Sequence, residues 1–211
     1  RARLDFHAKI FVDSGALLEK EWAVQAGLGF WGKNCAVISP SKGSFFHIGC
    51  MLLDAGDCPS DCPDDRPDDR PDVYPDDHPL DRLCGSCRRC VDACPGHAIS
   101  PEGYGIFFEK CVSYLTQKKG PLTETEIGSM SDHLYGCDVC QQVCPFNAGS
   151  CSESFRPESL RVSLDWILQM TPEEFARTLQ PTAAGWRGLE ILKRNARIAL
   201  VNGSNGSNGL N

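Results

Sequence analysis

Residues 84–95, CGSCRRCVDACP, contain four cysteines in the spacing C-x2-C-x2-C-x3-C, followed directly by a proline. A second run at 137–145, CDVCQQVCP, repeats the last three cysteines and the proline of that frame, with Leu134 where its first cysteine would fall. This spacing marks bacterial two-cluster iron–sulfur proteins, in which the fourth cysteine of a run serves the other cluster. The two runs therefore predict two 4Fe-4S clusters with crossed ligation.

The crossed pattern assigns eight of the thirteen cysteines. Cluster 1 is predicted to be bound by Cys84, Cys87, Cys90 and Cys144. Cluster 2 receives three thiolates from the two runs and lacks a fourth, for which the cysteine between the runs is the candidate; its predicted ligands are Cys94, Cys111, Cys137 and Cys140. The cysteines without an assigned role are Cys35, Cys50, Cys58, Cys62 and Cys151.

Two structural zinc sites are the alternative, since zinc also favours C-x2-C pairs. The triple C-x2-C-x2-C spacing and the two Cys-Pro endings favour iron–sulfur clusters and one-electron transfer. An odd number of cysteines, 13, cannot pair completely as disulfides within the chain, and no secretory leader opens the sequence. We therefore expect a reducing, cytoplasmic compartment.

The length of 211 residues suits one large or two small domains. A net charge of −7 argues against indiscriminate binding to polyanions, although a local basic patch remains compatible with it. No stretch approaches the roughly 20 apolar residues that a membrane helix needs, so we expect no membrane association.

Composition divides the chain into five segments. We expect a compact module at 1–56, a linker at 57–81, the cysteine domain at 82–150, a helical module at 151–201 and a disordered tail at 202–211. The linker has a proline at every fourth position with aspartates between, which blocks helices and favours extended chain. A cation-binding acidic tract is the less favoured alternative for this linker.

Local patterns place the elements around these segments. KIFV at 9–12 predicts a strand, and residues 36–53 predict two strands joined by a Ser-Pro-Ser-Lys-Gly turn. Asp13 or Ser14 is expected to cap a helix that Gly27 ends. Further helices are predicted after a Thr171 cap and across 185–201, where the pattern is amphipathic.

Residues 12–49, VDSGALLEKEWAVQAGLGFWGKNCAVISPSKGSFFHIG, resemble the signature region of the epoxyqueuosine reductase family. The resemblance continues through CGSCRRCVDACPGHAI, CVSYLTQKKG and GCDVCQQVCPFN, and more weakly at LKRNARIALVNG. It covers most of the chain apart from the linker. The family depends on cobalamin and iron–sulfur clusters and completes the synthesis of queuosine in transfer RNA.

The resemblance implies a mechanism. Electrons pass singly from the clusters to cobalamin, and the reduced cobalt acts on the epoxide of the modified wobble base while an acid protonates the departing oxygen. The aspartate of the family motif V-D-S/T-G matches Asp13, which the resemblance makes the proton donor. Burial of such a carboxyl would favour proton donation at neutral pH. A helix cap is the structural alternative for the same residue.

Other contacts follow from the resemblance. Cobalamin contacts are expected at Asp13, Trp31, Lys33 and Gln117, and contacts to transfer RNA at Lys118, Lys119, Lys193, Arg194 and Arg197. The alternatives are core packing for the aromatic residues and a solvated surface pair for the two adjacent lysines. Arg187 adds to the basic character of the last helix, which carries few acids.

The expected fold class is therefore α+β: a partial cobalamin-binding α/β module, a ferredoxin-like two-cluster domain and a truncated helical-repeat module. Family members carry a further segment before Asp13, and CPGHAI at 94–99 stands where they have CPTGAI. The expected substrate is transfer RNA with epoxyqueuosine at the wobble position. We expect an external electron donor, and we expect the protein to be a monomer. The alternatives are a two-cluster ferredoxin-type carrier or another cobalamin-dependent reductase, such as a reductive dehalogenase.

Overall fold

A computed structural model describes residues 7–13, 17–54, 83–148 and 162–205. Within these ranges short helices alternate with two small antiparallel sheets, which confirms the α+β class in coarse terms. The predicted linker lies outside the described residues. No helix in the described part of the chain is long and apolar enough to cross a membrane.

Each of the two sheets has two strands. Strand β1, His7–Phe11, pairs with β4, Cys50–Asp54, and the register sets Phe11 opposite Cys50. Strand β2, Phe30–Trp31, pairs with β3, Val37–Ile38. The strand predicted at KIFV is confirmed, because it forms most of β1.

The two strands predicted within residues 36–53 do not pair with each other. Both strands exist, and a bridge between Ser39 and Gly43 closes the turn between them. However, β3 pairs with β2 and β4 pairs with β1, so the segment is not a hairpin. The partner strands lie outside the segment, and its own alternation of apolar residues carries no information about them.

Helix α1, Glu19–Gln25, covers β3 by packing Ala23 and Val24 against Val37. Gly27 follows the helix with φ of 72°, a conformation that glycine adopts at no cost, so its predicted role is confirmed. The predicted cap is wrong, because the helix begins after Leu18 and no side chain caps it. Asp13 lies outside the helix with φ of 50°, and a cap must directly precede the first turn.

The cysteine domain is built from very short helices. Helix α2, Arg89–Asp92, and helix α5, Val139–Gln142, each carry the middle of one cysteine run, and the two helices are in contact. Between them lie a 3-10 turn at Phe108–Lys110, helix α3 at Val112–Leu115 and helix α4 at Glu124–Met130. The repeated run therefore produces a repeated local structure.

Three helices form the C-terminal module: α6, Leu164–Gln169, α7, Pro172–Thr178, and α8, Leu189–Asn205. The predicted start of α7 is confirmed, since the Thr171 hydroxyl accepts a hydrogen bond from the Glu174 amide. Buried Leu192 and Ala196 lie one turn apart on α8 and pack in the core formed with α6 and α7.

The predicted tail boundary at residue 202 is wrong. Helix α8 continues to Asn205, so the first four residues assigned to a disordered tail are helical. The Asn202 side chain donates hydrogen bonds to the carbonyls of Ile127 and Ser131 at the end of α4. These contacts compensate for the low helix propensity of the Asn-Gly-Ser sequence.

Candidate metal centre

The structure brings four cysteines from both runs to one cavity of about 230 Å³: Cys84, Cys87, Cys90 and Cys144. Burial raises the pKa of the Cys144 thiol, and the nearby Cys84 and Cys87 raise it further. Burial also raises the pKa of Cys90, with contributions from Cys84 and Cys144. These are the four residues predicted for cluster 1, including the one that crosses from the second run.

A second group of thiols surrounds Cys140. Burial is the main cause that raises the pKa of Cys140 to about 12, and the neighbouring Cys137, Cys90, Cys94 and Cys111 add to it. The group thus contains all four residues predicted for cluster 2, together with Cys90 at the boundary with the first group. Cys111, which the runs themselves do not contain, is among them.

The donor chemistry of these groups fits clusters. Among the described residues, no three His, Cys, Asp or Glu side chains converge as ligands of a single metal ion do. A 4Fe-4S cluster binds each thiolate through a different iron, so its ligands surround a volume instead of one point. The Ala98 amide also donates a hydrogen bond to the Cys94 sulfur at 3.2 Å, a type of contact that tunes clusters.

The turn after Cys94 explains a departure from the family pattern. A Cβ atom at Gly96 would overlap the carbonyl oxygen of Lys110, so the chain leading to Cys111 packs directly on this turn. His97 has φ of 47°, the left-handed region that favours glycine. The family sequence CPTGAI has its glycine at the position of His97, whereas this chain has its glycine one residue earlier, at Gly96.

Polar contacts join the first module to the cysteine domain. The buried Asn147 accepts from the Ser44 amide at 2.6 Å and donates to the Ser44 hydroxyl at 2.9 Å. The same hydroxyl donates to Gln141 at 2.8 Å. Asn34 donates to the Cys140 carbonyl at 3.4 Å. Sequence analysis missed these residues, because each pairs with a partner about a hundred positions away.

Lys33 lies beside the first group of cysteines. Its ammonium donates to the carbonyls of Gly85 and Cys87 at 2.6 and 3.0 Å, and the side chain lines the cavity that contains the four thiols. The family resemblance assigned this lysine to cobalamin. The structure places its ammonium on the loop that carries two predicted cluster 1 ligands.

Asp13 lines an open cleft of about 480 Å³ formed by the first module, with Trp31 on its wall. Gln141, the residue after Cys140, also lines the cleft, so the cleft reaches the cysteine domain. Asp13 is exposed to solvent in the described part of the chain, whereas burial is expected for a carboxyl that donates a proton at neutral pH. One carboxylate oxygen of Glu19, a second acid in the cleft, is buried without a hydrogen-bond partner among the described residues.

Gln117 and Lys118 are engaged by the protein itself. The Gln117 amide donates to the Ser113 carbonyl at 2.9 Å and accepts from the Trp186 indole at 2.8 Å. Lys118 pairs with Glu126 at 2.6 Å. The cobalamin contact of Gln117 and the RNA contact of Lys118 stay predictions. Their neighbour Lys119 is exposed.

Arg194, which the resemblance predicts as an RNA contact, is bound by the protein itself. Its guanidinium donates to the carbonyls of Lys118, Gly120 and Leu115 at 2.7, 2.9 and 3.2 Å. Burial lowers the pKa of Arg194, which fits a group held within the protein. The residue therefore holds the segment after α3, whereas Arg197 on the same helix is exposed.

Asn195 is fully buried and connects the C-terminal module to the cysteine domain. Its amide donates to the carbonyls of Thr116 at 2.7 Å and Leu134 at 2.9 Å. The Thr116 hydroxyl in turn accepts from the Gly136 amide at 3.0 Å. Asn195 thus holds the segment that follows Cys111 close to the segment that precedes Cys137.

We expect Asn195→Ala to lower the free energy of unfolding by roughly 2–4 kcal/mol, because it leaves one buried and one partly buried carbonyl without donors. Urea unfolding followed by circular dichroism measures the loss. Asn202→Ala is the matched control, since this residue of the same helix also donates to two carbonyls but lies nearer the surface. Equal losses in the two variants contradict a special role of Asn195.

Residues 83–147 match the family model of a 4Fe-4S double cluster binding domain. This match covers both groups of thiols. The fold and the site therefore define a double-cluster iron–sulfur protein.

Relatives extend the similarity over nearly the whole chain. The chain is 38% identical over 201 residues to an epoxyqueuosine reductase from Staphylococcus aureus, covering 93% of this chain and 48% of the relative. It belongs to the epoxyqueuosine reductase family, and it spans about half the length of the curated relatives it matches.

Solved structures agree with this assignment. An epoxyqueuosine reductase crystallised with an epoxyqueuosine-modified tRNA-Tyr stem loop superimposes with a TM-score of 0.77 and 32% identity, covering 96% of this chain and 50% of that one. An epoxyqueuosine reductase from Bacillus subtilis superimposes with a TM-score of 0.75 and 30% identity, covering 97% of this chain and 51% of that one. In that structure the catalytic loop that carries an aspartate is swung out of the active site.

Proposed function

We propose that this chain forms part of an epoxyqueuosine reductase, which reduces the epoxide of epoxyqueuosine in transfer RNA to the alkene of queuosine. The observation that carries the proposal is the cleft with Asp13, which reaches Gln141, the residue after Cys140 in the second group of cysteines. A carrier of electrons needs the cysteines but has no use for an acid-lined cleft. The family relationship supports the same reaction.

The two groups of thiols are the proposed cluster sites. We assign Cys84, Cys87, Cys90 and Cys144 to cluster 1, and Cys94, Cys111, Cys137 and Cys140 to cluster 2. The thiols with raised pKa values must lose their protons to bind iron, so cluster binding releases protons. Each cluster thereby joins the two runs, and cluster 2 also joins the segment between them.

The cleft suits part of a cobalamin. Trp31, Phe46 and Ile48 provide apolar walls for a flat macrocycle, and the cleft is too small for the whole cofactor. When bound, cobalamin supplies a strongly reducing and nucleophilic metal centre. Of the four predicted contacts, Asp13 and Trp31 line this cleft, whereas Lys33 and Gln117 have the other partners described above.

Asp13 is the proposed proton donor. Reduction of the epoxide to an alkene breaks both carbon–oxygen bonds, consumes two electrons and two protons, and releases the oxygen as water. A carboxylic acid at the cleft delivers a proton to the oxygen as it departs. The exposed position of Asp13 corresponds to an open cleft, and the swung-out loop of the Bacillus subtilis enzyme offers a precedent for such a state.

Three basic residues are the proposed contacts to RNA. Lys119 and Arg197 are exposed, and the Arg187 guanidinium stacks on the exposed Trp186 ring at 3.6 Å from its centroid. Such groups bind phosphates and unstacked bases. We further propose that the protein acts as a monomer in the cytoplasm with an external one-electron donor.

The proposal is tested with the full-length protein purified without oxygen. It should hold about eight iron and eight sulfide. With cobalamin and a chemical reductant it should convert epoxyqueuosine in transfer RNA to queuosine, as measured by mass spectrometry of the digested nucleosides. Clusters without cobalamin binding, judged by cobalamin absorbance after gel filtration, would identify an electron carrier. Two zinc ions and no acid-labile sulfide would contradict both functions.

A further inference from the structure

Lys33 brings a positive charge from the first module to the loop between Cys84 and Cys87. Its ammonium contacts the carbonyls of Gly85 and Cys87, which are 52 and 54 positions away in the chain. The ion pairs found among the described residues do not include Lys33. The charge beside this loop is therefore not neutralised by a carboxylate within the described part of the protein.

The position of this lysine is fixed by more than the two hydrogen bonds. Its aliphatic stem packs on Gly103, where a Cβ atom would overlap the stem carbons. Its own carbonyl accepts a hydrogen bond from the Tyr104 amide at 3.0 Å. The side chain is half-buried, so water screens its charge less than that of an exposed lysine. Both ends of Lys33 are thus held against the cysteine domain.

The two cluster loops receive different donors from adjacent residues. Lys33 contacts the loop of cluster 1 with a cation, while Asn34 contacts the Cys140 carbonyl, in the loop of cluster 2, with a neutral amide. The first module therefore gives the loop of cluster 1 a cation and the loop of cluster 2 a neutral donor. A charge difference of this kind acts on the two clusters unequally.

We propose that Lys33 raises the reduction potential of cluster 1 relative to cluster 2. Reduction adds an electron to a cluster that its four thiolates already make anionic, so a nearby cation stabilises the reduced form more than the oxidised form. The lysine thereby shifts the distribution of an electron within the pair towards cluster 1. The inference rests on the cluster binding of the proposed function. It assigns Lys33 the role of tuning the reduction potential of cluster 1.

The test measures the potential of each cluster in the loaded protein by redox titration followed by electron paramagnetic resonance. At the potential where half of cluster 1 is reduced in the unmodified protein, Lys33→Met should lower the ratio of reduced to oxidised cluster 1 by about threefold to tenfold. A tenfold change corresponds to about 59 mV for one electron. The ratio for cluster 2 should change by less than about twofold.

Two variants control for structure and for charge in general. Lys33→Arg keeps the charge and should retain the potential. Arg89→Met removes an exposed cation that lines the same cavity, and solvent screening should limit its effect to less than about twofold. A shift of both clusters by Lys33→Met, or a shift by Arg89→Met as large, would overturn the proposal.

Lys33→Gln separates tuning from simple support of the loop, because it keeps a hydrogen-bond donor without the charge. Full iron content with a lowered cluster 1 potential in this variant supports the proposal. Full iron content with an unchanged potential overturns it, as does loss of iron in both neutral variants, which would mean that the lysine only holds the loop. Failure of the unmodified protein to bind iron contradicts the proposed function instead.

Discussion

Replacing Cys111 with alanine is expected to lower the iron content from about eight towards about four atoms per chain, because cluster 2 loses one of its four thiolates. The residue lies between the 3-10 turn at Phe108–Lys110 and α3, and its thiol is close enough to Cys140 to affect the pKa of that residue. Iron analysis and electron paramagnetic resonance of the reduced protein measure the loss. Cluster 1 should remain.

Cys35→Ala is the matched control for this experiment. Cys35 is half-buried in the first module, where burial raises the pKa of its thiol, as it does for the proposed ligands Cys90 and Cys140. It is not among the eight proposed ligands, so its replacement should leave about eight iron atoms. If Cys35→Ala loses a cluster and Cys111→Ala does not, the assignment of the eighth ligand is wrong.

Asp13→Asn in the full-length protein is expected to reduce turnover of epoxyqueuosine in transfer RNA by about 10²–10⁴-fold, the usual contribution of a positioned general acid. Asparagine has the size of aspartate but no acidic proton. It also adopts the left-handed backbone region as readily, which matters because Asp13 has φ of 50°. Folding and both clusters should therefore be retained. Single-turnover assays with reduced protein measure the effect on the chemical step.

Two neighbouring carboxylates make the experiment decisive. Glu21→Gln changes an exposed acid of the same cleft and should alter turnover by no more than a few fold. Glu19→Gln tests the rival acid, whose buried oxygen has no hydrogen-bond partner among the described residues. Normal turnover with Asp13→Asn and a large loss with Glu19→Gln would transfer the proton donor to Glu19.

The structure changes what is expected of Asp13→Ala. A helix cap at this position would have contributed about 0.5–2 kcal/mol. Since α1 begins at Glu19 and no side chain caps it, that contribution is absent. Any destabilisation by alanine comes instead from the unfavourable backbone energy of alanine at positive φ, which position 13 adopts.

Local sequence determined the features whose physical causes act over a few residues. Helix α7 starts after Thr171 because the Thr171 hydroxyl accepts a hydrogen bond from the amide three positions on. Helix α1 ends before Gly27 because glycine tolerates positive φ. The spacing of each cysteine run likewise predicted a short loop with converging thiols. The crossing of Cys144 to the first group was inferred from that spacing, and the structure brings those thiols together.

Only the tertiary structure decided which distant groups meet. The sequence assigned Lys33 to the cofactor and Arg194 to RNA, and it gave no signal at Asn195. Each of the three donates to carbonyls 52 to 79 positions away. Backbone carbonyls are present at every residue and leave no mark in the amino-acid sequence, so no local pattern identifies the ones that need a donor. The strand partners of β3 and β4 depended in the same way on segments outside their own alternation. Residue types and their spacing determine the short-range geometry. The long-range pairings form only when the packed chain brings donor and acceptor together.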